Sequence, residues 1–228
     1  MAAVDMAVVE MAALEVPVGP GRWTFDDLLA LPASDWRFEI LDGALLMTPP
    51  AGIWHEAVAM RLRDRIKDAA LPHEVLGPVA IDIEPTYLIP DLVVLPAGAV
   101  RRGGAKARAA DALLVVEVVS PGSVSADRYL KPVKYAEAGI PHFWRVELQP
   151  ELSLTAYALP GAADAAPEPG GTAPRLAANG STSADVTSHG IGAVPAYAEA
   201  GRWTAGQTAA IRVPFRVDIE LAELAPNR

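Results

Sequence analysis

The sequence predicts an α/β (α+β) fold, a mixed central β-sheet flanked by helices, with extra antiparallel strands near the C-terminus. Three stretches lead to this prediction. Residues 113–119 form a Val- and Leu-rich run, which is typical of a strand buried on both faces. Apolar residues recur at helical spacing between Ile53 and Ala70. They alternate at strand spacing over residues 207–221, which we expect to complete the sheet at its edge.

Start and stop signals place the other elements in chain order. The predicted helices are residues 24–31, 53–70 and about 129–139, and the predicted strands are residues 36–41, 44–48, 75–83, 90–95, 113–119 and 142–148. Asp42-Gly43 predicts a tight hairpin between the first two strands. Pro32, Pro72 and Pro141 follow the three helices and stop them. We expect the strands between residues 36 and 148 to form one sheet.

The third predicted helix contains an unusual proline. Pro132 would cost ~3 kcal/mol in a helix interior, but the first turn of a helix tolerates it. The helix should therefore begin near Tyr129 or kink there. Asp127, Lys131 and Tyr135 follow one another at intervals of four residues, so they share one face of the helix.

Length and composition limit the class of protein. The 228 residues suit one domain, expected over residues 21–228, after a flexible arm at residues 1–20. Residues 160–192, rich in Gly, Ala, Pro, Ser and Thr, are predicted to be a low-complexity insertion that the core does not need. The absence of cysteine excludes disulfides, thiolate metal sites and cysteine nucleophiles. No apolar run approaches ~20 residues, so we expect no membrane partner. Asp5, Glu10 and Glu15, with no early basic residue, argue against a secretory signal, so we expect a cytoplasmic location.

The charge balance disfavours nucleic acid as a partner. The net charge is −9, whereas binding to phosphates relies on Lys and Arg. Two basic stretches, residues 61–67 and 101–108, could supply a positive surface. Such stretches are more often ordinary solvated faces or loops, so the sequence leaves both interpretations open.

Acidic residues mark two of the predicted strands. Glu117 interrupts the apolar run, where an ionised carboxylate is costly unless it is paired or ligates a metal. Asp91 opens a strand that we expect to lie beside it, and Lys131 can reach both from the helix. Two acids and a lysine suit phosphodiester hydrolysis, because carboxylates hold Mg²⁺ and a lysine can orient the attacking water. Such sets also occur by chance, and internal ion pairs explain them equally well.

Nine short motifs occur in an order that resembles one protein family. They are Trp23-Thr24-Phe25-Asp26-Asp27-Leu28, Phe38-Glu39-Ile40-Leu41-Asp42-Gly43, His55, Pro90-Asp91, Val116-Glu117-Val118-Val119-Ser120-Pro121, Asp127-Arg128, Lys131, Tyr135 and Ala138-Gly139-Ile140-Pro141-His142-Phe143-Trp144. In this order they resemble the Uma2 family (DUF820) of restriction-type endonucleases. The resemblance covers roughly residues 22–148 and again the C-terminal strands.

The resemblance implies a restriction-endonuclease-like fold of the PD-(D/E)XK nuclease superfamily. It implies that Glu39, Asp91 and Glu117 coordinate Mg²⁺ or Mn²⁺ and that Lys131 is the catalytic lysine. The protein would then be an endonuclease, a hydrolase acting on ester bonds, with DNA as the expected nucleic acid. In the parent pattern the lysine lies two residues after the glutamate. Val119 holds that place here, so the lysine lies on the following helix.

Two other functions stay open at the level of the sequence. The chain can be a catalytically inactive nuclease-fold module that binds nucleic acid or a protein partner. It can also be a structural oligomer whose acids pair with Arg128 and Lys131. Taken alone, Glu39 fits a solvent-facing strand position equally well, and His55 fits a packing role better than a ligand role. We also expect a homodimer, because the C-terminal strand leaves a sheet edge to be covered.

Overall fold

The computed structural model describes residues 21–162 and 195–225. It confirms a mixed α+β fold. The strands are β1 (Arg37–Leu41), β2 (Ala44–Thr48), β3 (His73–Leu76), β4 (Ala80–Ile83), β5 (Thr86–Leu88), β6 (Leu92–Pro96), β7 (Lys106–Arg108), β8 (Leu114–Val119), β9 (His142–Glu147), β10 (Ser153–Ala158), β11 (Ala198–Thr204), β12 (Thr208–Ile211) and β13 (Val217–Glu220). The helices are α1 (Phe25–Ala30), α2 (Ile53–Ile66), α3 (Ala97–Arg102), α4 (Lys131–Glu137) and α5 (Leu221–Leu224).

A six-stranded sheet with the order β11-β10-β9-β8-β6-β3 forms the centre of the fold. It is mixed, because β8 and β9 run parallel whereas β6 and β8 run antiparallel. All six residues of β8 are buried, as its apolar sequence predicts. Alternate residues face opposite sides, so Val116 and Val118 pack with α2 while Val115 packs with Tyr135 of α4 on the other side. Glu117 shares the side of Val115.

The expectation of one sheet over residues 36–148 is wrong, because a second sheet holds β2, β1, β5, β4 and β7 in that order. The predicted strand at residues 75–83 is in fact two strands, β3 in the six-stranded sheet and β4 in the five-stranded one. Gly77-Pro78 lies between them, and proline cannot donate to a strand ladder. The chain therefore changes sheets at this point. The two sheets share a core that contains Ile81 of β4 and Phe143 of β9.

The helices begin and end close to the predicted signals. Thr24 caps α1 in a capping box with Asp27. The helix α2 ends at Ile66, four residues before the predicted end at Ala70. The predicted kink at the third helix exists as a π-helical turn, Ala126–Leu130, directly before α4. Pro132 lies in the first turn of α4, directly after this π-helical turn.

The C-terminal strands divide between two sheets. β11 extends the edge of the six-stranded sheet by pairing with β10. β12 and β13 pair only with each other in the described part of the chain, so residues 207–221 do not complete the central sheet as expected. Their apolar residues Ile211 and Ile219 pack instead on the core beneath α2. This pair is the extra antiparallel unit that the sequence predicts.

The structure gives limited information on the expectations for the N-terminal arm, the insertion, the membrane and the homodimer. The arm at residues 1–20 and nearly all of the insertion at residues 160–192 lie outside the described residues. Within the described residues, none of the helices combines the length and apolarity needed to cross a membrane. The homodimer stays a prediction.

His142 gives the fold a pH dependence of known sign. It begins β9, and burial lowers the pKa of its imidazole to about 4. The unfolded chain therefore binds a proton between about pH 6.5 and pH 4 that the folded chain does not. We expect the free energy of unfolding to fall by about 2 kcal/mol from this group between pH 7 and pH 4.5.

Urea unfolding of the parent protein and of His142→Gln at both pH values measures this contribution. Glutamine cannot gain a proton, so the variant should lose less stability on acidification than the parent does. Carboxylates titrate in both proteins, and their contribution cancels in the difference. Equal losses in the two proteins would contradict the assignment to His142.

Candidate active site

Lys131, Glu39 and Glu117 meet in the interior, where β1, β8 and the start of α4 come together. Nζ of Lys131 lies 3.1 Å from Oε1 of Glu39 and 3.2 Å from Oε1 of Glu117. The three side chains are at most 3% exposed. The sequence predicted these residues, and the structure brings them into direct contact. Asp127, which it did not assign to the site, adds a third carboxylate 3.1 Å from the same Nζ.

Asp91 lies beside this cluster, held by three donors. Leu92 of β6 is the register partner of Val116, so Asp91 lies at the end of a strand adjacent to β8. Its Oδ2 accepts the backbone N–H of Val118 at 2.8 Å and lies 3.1 Å from Nε2 of His55. Its Oδ1 accepts from a guanidinium nitrogen of Arg37 at 2.8 Å. The carboxylate is thereby fixed in orientation.

Two further hydroxyl groups position the acids. The phenol of Tyr135 donates to Oε1 of Glu117 at 2.6 Å. The hydroxyl of Ser123 donates to Oδ2 of Asp127. Oδ1 of Asp127 faces the Lys131 ammonium but makes no hydrogen bond of good geometry with the described residues, and Oε2 of Glu39 has no hydrogen-bond partner among them either.

A cavity of about 380 Å³ opens onto this cluster. Its charged lining residues are Asp35, Arg37, Glu39, His55, Glu56, Asp91, Asp127 and Lys131. Glu117 does not line it and lies deeper, against Lys131 and Tyr135. A second cavity of about 230 Å³ shares His55, Glu56 and Asp91 as lining residues, so these three residues lie between the two cavities. The cluster is thus buried and yet reachable from solvent on one side.

The sequence matches the family model Uma2, described as "Putative restriction endonuclease", over residues 25–175. This is well over half of the 228 residues. The chain belongs to the Uma2 family. No curated protein matches the chain significantly.

A solved structure shares the fold of this Uma2 chain. It is the crystal structure of a putative nuclease belonging to DUF820 from Anabaena variabilis, with a TM-score of 0.50 and 16% sequence identity. The similarity covers 60% of this chain and 79% of that one. At this identity the match supports a common fold and leaves the chemistry to be argued from the residues of the Uma2 chain itself.

Burial, with repulsion between the acids, raises the pKa values of two carboxyl groups of this Uma2 site, those of Glu117 and Asp127. Burial raises the pKa of Glu117 well above its usual value; Lys131 opposes this shift, and the neighbouring carboxylates add to it. Burial also raises the pKa of Asp127, against the pull of Lys131 and Ser123. Burial would lower the pKa of Lys131, but Glu117, Glu39 and Asp127 outweigh it and raise that pKa. Lys131 is therefore an ammonium ion throughout the neutral range.

Asp91 behaves in the opposite way. Burial alone would raise its pKa, but the hydrogen bond and charge of His55 and the charge of Arg37 hold it at about 2. For His55, burial is outweighed by the hydrogen bond and charge of Asp91, which raise the pKa of the imidazole. The Uma2 site therefore contains one carboxyl group with a lowered pKa, that of Asp91, beside two with raised pKa values, those of Glu117 and Asp127. Pairs of acids separated in this way are typical of sites with distinct chemical roles.

The donor set suits a divalent cation, although its present arrangement favours the ammonium. Among residues 21–162 and 195–225, no three His, Cys, Asp or Glu side chains are grouped closely enough to hold a metal ion together. Mg²⁺ needs only one or two carboxylates and keeps several waters. The buried Oε2 of Glu39, which has no partner, and the remaining lone pair of Asp91 Oδ1 are oxygens of that kind. The residues present therefore fit such an ion.

Most basic side chains of the two stretches contact acids or backbone carbonyls within the described part of the chain. In α2, Arg65 pairs with Glu223, and Arg61 and Arg63 bind backbone carbonyls. In the second stretch, Arg102 and Arg108 both pair with Asp111 at 2.6 and 2.8 Å, and Lys106 pairs with Asp82. Arg65, Arg102 and Arg108 are 50%, 54% and 69% exposed. Of the two interpretations left open by the sequence, the structure favours an ordinary solvated face or loop.

Several residues of the site were present in the sequence patterns without being assigned. Arg37 lies two residues before Glu39 on β1, and strand periodicity places both on one face. Asp127 and Tyr135 lie four residues before and after Lys131, which the shared helix face already indicated. His55, interpreted as a packing residue, is buried and contacts Asp91. Local periodicity could therefore have added three of the four.

Proposed function

We propose that this chain is a metal-dependent endonuclease that hydrolyses phosphodiester bonds in nucleic acid, with DNA as the first expected substrate. The observation that carries the proposal is the convergence of Glu39, Asp91 and Lys131 on one solvent-reachable cavity, with Glu117 directly behind. Membership of a family described as restriction endonucleases supports it. The nuclease named for the structural neighbour points the same way.

The carboxylates would hold a divalent cation such as Mg²⁺ or Mn²⁺. When bound, such an ion polarises the phosphate and lowers the pKa of a coordinated water. Asp91 and Glu39 line the cavity and offer oxygens toward it. Both oxygens of Glu117 are engaged, by Tyr135 and Lys131. Glu117 can therefore act as a ligand only when the Lys131 ammonium moves off it.

Lys131 would act on the attacking water and on the developing charge of the phosphate. Because its pKa is raised, it is protonated and can only donate hydrogen bonds. It therefore orients the water and stabilises negative charge, and it cannot be the base that removes a proton. Tyr135 positions the Lys131 ammonium indirectly, through its hydrogen bond to Glu117, whereas Asp127 contacts the ammonium directly.

A cleavage assay with the purified chain tests the proposal. Supercoiled plasmid and a structured RNA are incubated with Mg²⁺, with Mn²⁺ and with a chelator, and nicking is followed on gels. We expect cutting with either metal and none with the chelator. Asp91→Asn should abolish cutting, because it removes the ionised carboxylate of the site while keeping its shape. Cutting that persists in the chelator or in Asp91→Asn would refute a metal-dependent reaction at this site.

One observation favours the second candidate, a nuclease-fold module that binds without cutting. Lys131 is surrounded by three carboxylates, and the chain carries a net charge of −9. If Mn²⁺ raises the melting temperature by mass action but neither nucleic acid is cut, this candidate replaces the first. A homodimer and a cytoplasmic location stay predictions under both.

A further inference from the structure

Arg37 is a positively charged residue that lines the cavity and is partly exposed to solvent. Its side chain is 24% exposed, whereas that of Lys131 is 3% exposed. Both line the cavity, but Lys131 is enclosed by carboxylates. Among the residues that the structure describes, Arg37 has one carboxylate partner, Asp91, and a long contact of 3.4 Å to the carbonyl of Ile89. Most of its guanidinium donors therefore remain available to a ligand in the cavity.

The partner of Arg37 is the residue that the proposed function needs for the cation. Oδ2 of Asp91 is already occupied by Val118 N–H and His55, so Oδ1 is the oxygen left for an ion. Arg37 binds that same oxygen at 2.8 Å. A guanidinium beside Oδ1 repels a divalent cation and takes one of its lone pairs. Without substrate, then, the Arg37–Asp91 ion pair opposes binding of the metal.

Binding of a phosphodiester group would remove this opposition to the metal. The planar guanidinium of an arginine can donate to two phosphate oxygens at once. The carboxylate of Asp91 offers Arg37 only Oδ1, because its Oδ2 is already engaged. A phosphate in the cavity would attract Arg37 away from Asp91 and leave Oδ1 to the cation. The negative charge of the phosphate would also replace the charge of Asp91 as the partner of the guanidinium.

We infer that Arg37 is the phosphate-binding residue of the site and that its ion pair with Asp91 makes the cation and the nucleic-acid phosphate bind cooperatively. This inference rests on the proposed function, since it assumes that Asp91 ligates the cation. It also explains how a chain of net charge −9 binds a polyanion: the metal and Arg37 supply local positive charge only when the phosphate is present. Coupling of this kind is reciprocal, so the metal must strengthen phosphate binding by the same factor.

Binding measurements on Arg37→Met and Arg37→Lys test the inference. Calorimetry gives the affinity for Mn²⁺ alone. Fluorescence anisotropy of a 12-base-pair DNA duplex, with and without Mn²⁺ and at a temperature where cutting is slow, gives the affinity for DNA. Arg102→Met serves as the control, because Arg102 also pairs with an aspartate, Asp111, but does not line the cavity.

Two opposite changes are expected in Arg37→Met. Its affinity for Mn²⁺ alone should rise at least about fivefold, and its affinity for DNA in Mn²⁺ should fall at least about fivefold, which is the lower end of typical coupling. Arg37→Lys keeps the charge but not the fork, so it should retain weak binding of Mn²⁺ and still lose DNA affinity. Arg102→Met should match the parent in both measurements.

The outcomes separate failure of the inference from failure of the proposed function. If Mn²⁺ binds the parent and Arg37→Met binds it no more tightly, the inference is wrong and the metal site stands. If DNA affinity is unchanged in both Arg37 variants, Arg37 does not bind phosphate, and the inference is equally wrong. If the parent binds no Mn²⁺ even with DNA, the proposed function fails and the inference fails with it. Should Arg37→Met not fold, Arg37→Lys alone decides the phosphate role.

Discussion

Replacing Lys131 by methionine is expected to abolish cleavage and to destabilise the fold by about 3–5 kcal/mol near neutral pH. The variant removes the one ammonium that contacts Glu39, Glu117 and Asp127, leaving three buried carboxylates without their counter-charge. Methionine has a similar length, so loss of packing contributes little. Turnover should fall at least about a hundredfold, because the donor that stabilises charge on the reacting phosphate is absent.

The pH dependence of this loss follows from the sign of the pKa shifts. The pKa values of Glu117 and Asp127 are raised already, and removing Lys131 must raise them further. A carboxylate with a raised pKa in the folded state makes the fold less stable as pH rises. The deficit of Lys131→Met relative to the parent should therefore be smaller at pH 5 than at pH 8.

Lys134→Met is the matched control, measured by urea unfolding at both pH values. Lys134 lies on the same helix and also contacts two carboxylates, those of Asp42 and Glu137, but its side chain is 22% exposed. Partly exposed pairs contribute little, so its loss should stay within about 1 kcal/mol. A deficit in Lys131→Met that matches the control, or that grows on acidification, would contradict the assigned electrostatics.

The sequence predicted the centre of the molecule better than its periphery. The run at residues 113–119 was predicted to be a strand buried on both faces, and Glu117 within it needed a partner; Lys131 is one such partner. The Glu117–Lys131 pair follows from short-range features, because the turn after β8 leads directly into the helical segment that carries Lys131. The order of motifs then indicated Glu39 and Asp91, which the structure places beside the pair.

Long-range pairing could not be predicted in the same way. Whether residues 75–83 continue in one sheet depends on Gly77-Pro78 and on which partners lie on each side, and periodicity alone does not encode partners. The prediction that the C-terminal strands complete the central sheet failed for the same reason. Their alternation is correct, but it equally suits a separate hairpin packed on α2, which is where β12 and β13 lie.

The role of the basic clusters could not be decided from the sequence for a related reason. Arg65 and Arg102 are close to other arginines in sequence, yet their charges are matched by Glu223 and Asp111. The partner of Arg65 is more than 150 residues away, so a local window cannot show that it is neutralised. Arg37, alone in its stretch, is the arginine that lines the cavity. Whether a basic side chain can act at the site depends on its position relative to the cavity and not on the number of other basic residues near it in the sequence.

Glu117→Gln is expected to separate function from stability. The change should lower metal-dependent cleavage at least about a hundredfold, because it removes the charge that draws both the cation and Lys131 to this place. Stability near pH 5 should stay within about 1 kcal/mol of the parent. A glutamine oxygen can accept from Lys131 while its amide donates to the hydroxyl of Tyr135, which accepts as well as donates. Lys131 also keeps Glu39 and Asp127 as partners.

Near pH 8 the Glu117→Gln variant should be more stable than the parent. The raised pKa of Glu117 means that the parent must ionise a buried carboxylate as pH rises, and its stability falls through that window; glutamine has no proton to lose. Glu147→Gln is the control, since Glu147 is a half-buried strand carboxylate that pairs with Arg128 and Arg145 and does not line the cavity. It should keep cleavage and gain no stability at high pH. Unfolding curves at pH 5 and pH 8, with plasmid nicking rates for each protein, measure both effects. A Glu117→Gln variant that cuts like the parent would show that the carboxylate only holds the fold together. A variant that loses as much stability as the parent between pH 5 and pH 8 would contradict the raised pKa of Glu117.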